Sequence, residues 1–213
     1  MAEALNHANL DRAKKIKLIL FDVDGVLTDG SIWLFPAPAP GPRSTDAHAQ
    51  RRADGPGFGI ISQNMMEAKG FNAHDGTAIS LAHLGGIKTG MVTKRISETV
   101  ALRARDLKID FLFQGADNKS LVLDQILAES GLSEEQVAYV GDDVIDLPIM
   151  RRCGLAIAVA NARPQVKEMA HLETPSRGGQ GAARDAVEYI LQAQGTLEKV
   201  IESYIVGIRV NPK

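Results

Sequence analysis

Five short apolar runs recur along the chain, at residues 16–21, 90–93, 111–113, 137–140 and 155–159. Each contains branched or aromatic residues and is bounded by Gly or Asp, the pattern of strands buried on both faces. The stretches between them carry apolar residues three or four apart, as Leu121, Leu123, Ile126 and Leu127 show. This spacing predicts helices over 97–107, 120–130, 145–153 and 164–170, with a further short one over 77–84. Ser133-Glu134-Glu135-Gln136 reads as a capped turn leading into the fourth strand. Strand and helix alternating in this way predict a doubly wound, Rossmann-like α/β fold around a parallel sheet. Ligands in such folds bind beyond the carboxyl ends of the strands.

One segment departs from the pattern. Pro36, Pro38, Pro40, Pro42 and Pro56 fall within 36–56, together with Arg43, Arg51 and Arg52. Without amide donors or apolar periodicity, this stretch cannot be a core strand or helix. It is flanked by two strand-like segments, Ser31-Ile32-Trp33-Leu34-Phe35 and Glu67-Ala68-Lys69-Gly70-Phe71. The expectation is one domain over 1–213 with a hairpin arm over 31–71 that carries a Pro-rich insertion at about 36–63. The tip reads equally well as a mobile surface loop.

Composition then narrows the functional classes. At 213 residues, with 45% apolar and 23% charged, the chain has the usage of a globular protein with one buried core. Its net charge of −2 shows no basic footprint for nucleic acid or a membrane surface. The single Cys153 cannot close an internal disulfide and reads as a small packed hydrophobe. The early apolar run is cut off by Asp22 and Asp24, short of the roughly 7–15 residues of a signal peptide or the ~20 of a membrane helix. A cytoplasmic protein is expected.

The polar residues just past the strands carry the chemistry. Asp22-Val23-Asp24-Gly25-Val26-Leu27-Thr28 follows the first strand, and Thr93 ends the second. Gln114-Gly115 and then Lys119 follow the third, and Gly141-Asp142-Asp143-Val144-Ile145-Asp146 follows the fourth. In a parallel sheet these ends lie side by side. Asp22, Asp24, Asp142, Asp143 and Asp146 would then crowd one crevice and repel one another, unless a divalent cation sits among them. Ligation by oxygen alone points to Mg²⁺. A carboxylate nucleophile, a second carboxylate to move a proton, and a hydroxyl and an ammonium (Thr93, Lys119) to hold phosphate oxygens are the parts of phosphoryl transfer.

Taken together, the run DVDGVLTDG, the threonine after the second strand, the lysine opening a helix after Gln114-Gly115, and GDDVID resemble the four motifs of the haloacid dehalogenase superfamily of phosphohydrolases. His74-Asp75-Gly76, Phe113-Gln114-Gly115, 137–143 and Gly178-Gly179-Gln180-Gly181-Ala182 narrow the resemblance to its small capless branch. That branch is typified by 3-deoxy-D-manno-octulosonate 8-phosphate phosphatase and its sialic-acid-type relatives. The resemblance implies Asp22 as nucleophile and Asp24 as acid/base. It also implies Mg²⁺ on Asp22, the Asp24 carbonyl and Asp142, supported by Asp143 and Asp146. Thr93 and Lys119 would bind phosphate, Arg95 would suit a sugar-acid carboxylate, and His74, Asp75, Gly178 and Gly179 would meet substrate. The implied substrate is a phosphorylated sugar acid, 3-deoxy-D-manno-octulosonate 8-phosphate first and an N-acylneuraminate 9-phosphate as the alternative.

Three features depart from the branch: Lys94 stands where it usually has Gly, Asn118 where an Asp commonly precedes the lysine, and the hairpin insertion is extra. Two other classes share parts of the pattern. A phospho-receiver module would need its phosphorylated Asp after the third strand, where this chain has Gln114-Gly115. A silent scaffold would have lost some of the motif residues, and all are present. The intervals 30–86 and 93–119 leave no room for a cap domain, so a single subunit would hold an open, wet site. A homo-oligomer is expected, a tetramer by the resemblance, with 32–35, 67–71 and 177–182 shaping a neighbour's site.

Overall fold

The computed structural model describes residues 2–36 and 65–207. They fall into two compact units, residues 1–31 with 70–213 and residues 32–69. In the larger unit, helix α1 (Ala2–Lys14) precedes strand β1 (Leu18–Phe21), and β1 runs into a tight single turn at Val23–Leu27. In the smaller unit, β2 (Trp33–Pro36) pairs antiparallel with β3 (Met65–Ala68), placing Trp33 opposite Ala68 and Pro36 opposite Met65. The second arm of this hairpin lies earlier than 67–71, because Lys69-Gly70 closes it; glycine in a strand leaves nothing to pack. The Pro-rich insertion lies outside the described residues.

The larger unit continues through α2 (Ala73–Leu84), β4 (Lys88–Thr93), α3 (Glu98–Asp106), β5 (Phe111–Gln114), α4 (Lys119–Ser130) and β6 (Val137–Gly141). It closes with α5 (Leu147–Met150), β7 (Leu155–Ala158), α6 (Pro164–Met169), β8 (Leu172–Glu173), α7 (Ala182–Ala193) and α8 (Leu197–Val206). All pairings in the six-stranded sheet are parallel, in the order β5-β4-β1-β6-β7-β8. The expected parallel α/β architecture is present, and no cap domain interrupts the described residues of this unit.

Burial explains the order. Leu18, Ile19, Leu20 and Phe21 of β1 are fully buried, as are Val137 to Val140 of β6, so these two strands form the centre of the core. Each Leu, Ile, Val or Phe side chain among them contributes about 1.5–3 kcal/mol on leaving water. Helix starts are set by side chains: Asn72, Ser97 and Asn118 accept from the amides of His74, Val100 and Ser120 at the heads of α2, α3 and α4. The Asn72 cap starts α2 four residues before the expected 77. The helix expected over 145–153 is a short 3₁₀ turn (Val144–Asp146) followed by α5, because Pro148 lacks the amide that a continuous helix would need. Strand β8 and helices α1, α7 and α8 were not among the expected elements.

Candidate active site

The carboxyl ends of β5, β4, β1 and β6 stand next to one another, so the segments that follow them converge. At the end of β1 the backbone of Asp22 is extended, and its carboxylate accepts from the Val23 amide at 2.7 Å. The turn can close because Gly25 takes φ +93°, and because a Cβ at that position would overlap the Asp142 carboxylate. Glycine at 25 thus lets two acidic segments 117 positions apart approach each other.

Lys119, the first residue of α4, is only 1% exposed. Its Nζ lies 3.0 Å from Asp22 Oδ1 and 2.6 Å from Asp146 Oδ1, and donates to the Tyr139 hydroxyl at 2.9 Å. Tyr139, on β6, donates in turn to Asp146 Oδ1 at 2.7 Å. Asp146 Oδ2 accepts from the Asp142 and Asp143 amides at 2.9 and 3.2 Å, so both oxygens of this fully buried carboxylate are engaged.

The charges do not balance. Asp22, Asp142 and Asp146 place carboxylate oxygens within 4.8 Å of one another, with the Lys119 ammonium bonded to two of them. Burial works against the charge on Lys119, but Asp22 and Asp146 outweigh it and hold the ammonium above its ordinary range. The acids are left short. Burial, opposed by Lys119 and reinforced by Asp146, pushes the Asp22 carboxyl up to about 7. Burial and repulsion from Asp146, Asp22 and Asp143 push Asp142 up to about 7 as well. Asp142 Oδ1 is buried with no hydrogen-bond partner. An orphaned carboxylate oxygen in an under-compensated, all-oxygen cluster fits a hard divalent cation.

Around this centre, Thr93 is buried at the end of β4, and its hydroxyl accepts from the Arg95 amide at 3.4 Å. The Arg95 side chain reaches back to Asp24, with Nε 3.8 Å from Oδ2. Asp143 is exposed and accepts from the Val144 amide at 2.7 Å, capping the 3₁₀ turn that carries Asp146.

The glycine-rich segment before α7 lies against the Asp22 loop. The Gly179 amide donates to the Val26 carbonyl at 2.9 Å, and a Cβ on Gly178 would overlap the Gly25 carbonyl. Asn161 clasps both sides: its Oδ1 accepts from the Gly178 amide at 2.6 Å, and its Nδ2 donates to the Gly25 carbonyl at 3.1 Å. Asp75 is buried, and its two oxygens accept from the amides of Gly181 and Arg184 at 3.2 and 3.1 Å, at the head of α7. Asp75, Gly178 and Gly179, expected to meet substrate, have polar groups and close approaches that hold the glycine-rich segment in place. His74 is exposed in the first turn of α2.

Tyr139 and Asn161 were not singled out in the sequence. Tyr139 lies inside the 137–143 run but has no role of its own there, Asn161 belongs to no motif, and only the folded juxtaposition reveals their partners. A cavity of about 650 Å³ lies at the opposite, amino-terminal edge of the sheet, against Lys14, Lys17, Gly86, Ser133 and Gln194, and shares no residue with the acidic cluster.

Comparison with known proteins places this geometry. The family of haloacid dehalogenase-like hydrolases matches over residues 92–184. The chain is 35% identical over 188 residues to 3-deoxy-D-manno-octulosonate 8-phosphate phosphatase KdsC of Escherichia coli (strain K12), covering 88% of this chain and 86% of that protein. The enzyme of the same name from Yersinia pestis superposes with a TM-score of 0.74 at 34% identity, covering 90% of this chain and 89% of that one. The Moraxella catarrhalis phosphatase of that name, solved with magnesium, phosphate and KDO, superposes with a TM-score of 0.76 at 31% identity, covering 93% and 98%.

Proposed function

The chain belongs to the haloacid dehalogenase-like hydrolases, in the branch of the 3-deoxy-D-manno-octulosonate 8-phosphate phosphatases, and on that premise we propose that it is a Mg²⁺-dependent phosphomonoesterase acting on 3-deoxy-D-manno-octulosonate 8-phosphate. The observation that carries the reading is the buried Asp22–Lys119–Asp146 cluster beside the orphaned Asp142 oxygen.

In this reading an Asp22 carboxylate oxygen attacks phosphorus, and the bond from phosphorus to the sugar oxygen breaks. Asp24 gives its proton to the leaving alkoxide. Asp24 then takes a proton from water, whose oxygen attacks the aspartyl-phosphate and releases inorganic phosphate, restoring Asp22. Lys119 donates to the phosphoryl oxygens as charge develops on them, and Thr93 does the same from the neighbouring strand end. Arg95, beside Asp24, meets the substrate carboxylate. Asp22, Asp142 and the Asp24 carbonyl would hold Mg²⁺, with Asp143 and Asp146 keeping their segment in place. When bound, the ion neutralises the acid cluster and the phosphate oxygens.

We assign the protein to the cytoplasm and to a homotetramer in which a neighbour covers the uncapped site. No described helix is long and apolar enough to cross a membrane. On the hairpin, Trp33, Leu34, Phe35 and Met66 are each about half exposed, and a two-stranded sheet alone is marginally stable. A phosphate-release assay compares 3-deoxy-D-manno-octulosonate 8-phosphate with an N-acylneuraminate 9-phosphate, each with Mg²⁺ and with EDTA. Faster Mg²⁺-dependent turnover of the first supports the assignment; faster turnover of the second reassigns the substrate.

A further inference from the structure

We propose that Tyr139 is a positioning residue for phosphoryl transfer, holding the Lys119 ammonium so that one of its protons points at Asp22; this rests on the phosphatase reading above. The ammonium has three protons and three partners: Asp22 Oδ1 at 3.0 Å, Asp146 Oδ1 at 2.6 Å and the Tyr139 hydroxyl at 2.9 Å. Only Asp22 changes chemically in the reaction. Once its carboxylate becomes an acyl phosphate, the proton that faced it meets a phosphoryl oxygen, while the other two protons stay where Asp146 and Tyr139 hold them.

Asp146 alone does not fix that orientation. A long aliphatic side chain tethered at one acceptor still rotates about its terminal bonds. The second tether removes this freedom, and Tyr139 is built to supply it. The residue is fully buried on β6, next to β1, where Tyr139 pairs with Leu20 two positions before Asp22. The Lys119 ammonium lies 5.6 Å from the ring centroid, so the ring as well as the hydroxyl bounds its position. The hydroxyl accepts from Lys119 and donates to Asp146 Oδ1, closing a three-membered network in which no member can turn without breaking two contacts. Burial and the nearby Asp146 and Asp22 charges hold the phenol protonated, so it remains a donor to Asp146. A tyrosine serving only the core would need a single partner for its hydroxyl; this one joins the two residues that flank the proposed nucleophile.

The test is Tyr139→Phe, which keeps the ring and removes the oxygen, assayed as the full-length Mg²⁺-loaded protein on 3-deoxy-D-manno-octulosonate 8-phosphate and on p-nitrophenyl phosphate. Outer-shell partners that orient metal ligands are worth about 10–100-fold in activity, and the tether on Lys119 is set on the same scale. The expected result is a fall in kcat of at least about tenfold on both substrates, with KM within about twofold. Inhibition by orthovanadate, which mimics the five-coordinate phosphoryl group, should weaken by the same factor as kcat/KM, while inorganic phosphate binds nearly as before. Thermal melting checks the fold, and Ser133→Ala, remote from the site, serves as a control that leaves kcat unchanged. A Tyr139→Phe protein that melts lower but keeps wild-type kcat and vanadate affinity overturns the proposal and leaves the phosphatase reading intact. If the wild-type protein releases phosphate from neither substrate, the phosphatase reading and this inference fail together. Should Tyr139→Phe not fold, Tyr139→3-fluorotyrosine keeps the ring and oxygen but weakens that oxygen as an acceptor for Lys119; kcat should then fall with KM unchanged, and a folded protein with wild-type kcat overturns the proposal.

Discussion

Replacing Lys119 by Met keeps the aliphatic stem and deletes the ammonium that touches Asp22, Asp146 and Tyr139 at 3.0, 2.6 and 2.9 Å. Two separable losses follow. Removing one partner of a buried ion pair costs about 3–5 kcal/mol of stability, because the remaining charges stay desolvated. Asp22 and Asp146 can escape by taking up protons, so the loss should be largest at alkaline pH and shrink as the carboxyls protonate. The second loss is catalytic. A preorganised donor to a developing oxyanion is worth ~3–4 kcal/mol, or ~10²–10³-fold in kcat. Urea unfolding at two pH values, followed by circular dichroism, measures the first; phosphate release at saturating substrate and Mg²⁺, under conditions where the variant is folded, measures the second. With three carboxylates and no ammonium, the variant should also gain more melting temperature from Mg²⁺ than the wild type does. A folded Lys119→Met protein with kcat within threefold of wild type would refute the assigned role, and equal stability at alkaline pH would refute the electrostatics.

Three further outcomes follow from the same geometry. Asp22 and Asp142 ionise near 7 in the fold and near 3.8 when unfolded, so the folded protein holds extra protons between those values. Stability of the metal-free protein should therefore fall as pH rises from 3.8 towards 7 and stay low above it, and Mg²⁺ should restore it; scanning calorimetry with EDTA or Mg²⁺ reads this. Burial pushes the Cys153 thiol up to about 12, so the native protein should not react with a thiol-specific disulfide reagent at mildly alkaline pH, whereas the urea-unfolded chain should react at once. Trp33→Glu places a charge on the exposed face of the hairpin and should lower the mass seen by sedimentation from that of a tetramer to a smaller species; an unchanged mass assigns assembly to another surface.

Elements whose signal is local were legible in the sequence. Asp22 and Asp24 follow a buried strand at fixed spacing, and Asp142, Asp143 and Asp146 follow another, so parallel pairing alone brings them to one edge. Elements whose signal is tertiary were not. Tyr139 reads as one more apolar position until Lys119 and Asp146 are seen against its hydroxyl, and Asn161 has no meaning until it bridges Gly25 and Gly178. The structural role of Asp75 is invisible in sequence because its partners, the amides at the head of α7, lie more than a hundred positions away. Helix α7 itself did show a signal, since Ala182, Ala183, Ala186, Val187, Ile190 and Leu191 form one buried stripe at helical spacing. The helix expected over 145–153 failed for a reason visible in the sequence: Pro148 lacks the amide that a continuous helix would need, and the 3₁₀ turn before it is closed by a capping box in which Asp146 accepts from the Asp143 amide.

The central claim is that Asp22 carries the phosphoryl group. It is tested most directly by Asp22→Asn, which keeps the shape of the side chain and removes the nucleophilic oxygen. The account predicts loss of Mg²⁺-dependent phosphate release from 3-deoxy-D-manno-octulosonate 8-phosphate by at least ~10³-fold. It also predicts that the metal-free variant melts no lower than wild type at alkaline pH, because a buried, under-compensated charge has been removed. Turnover at the wild-type rate by the folded Asp22→Asn protein would contradict it.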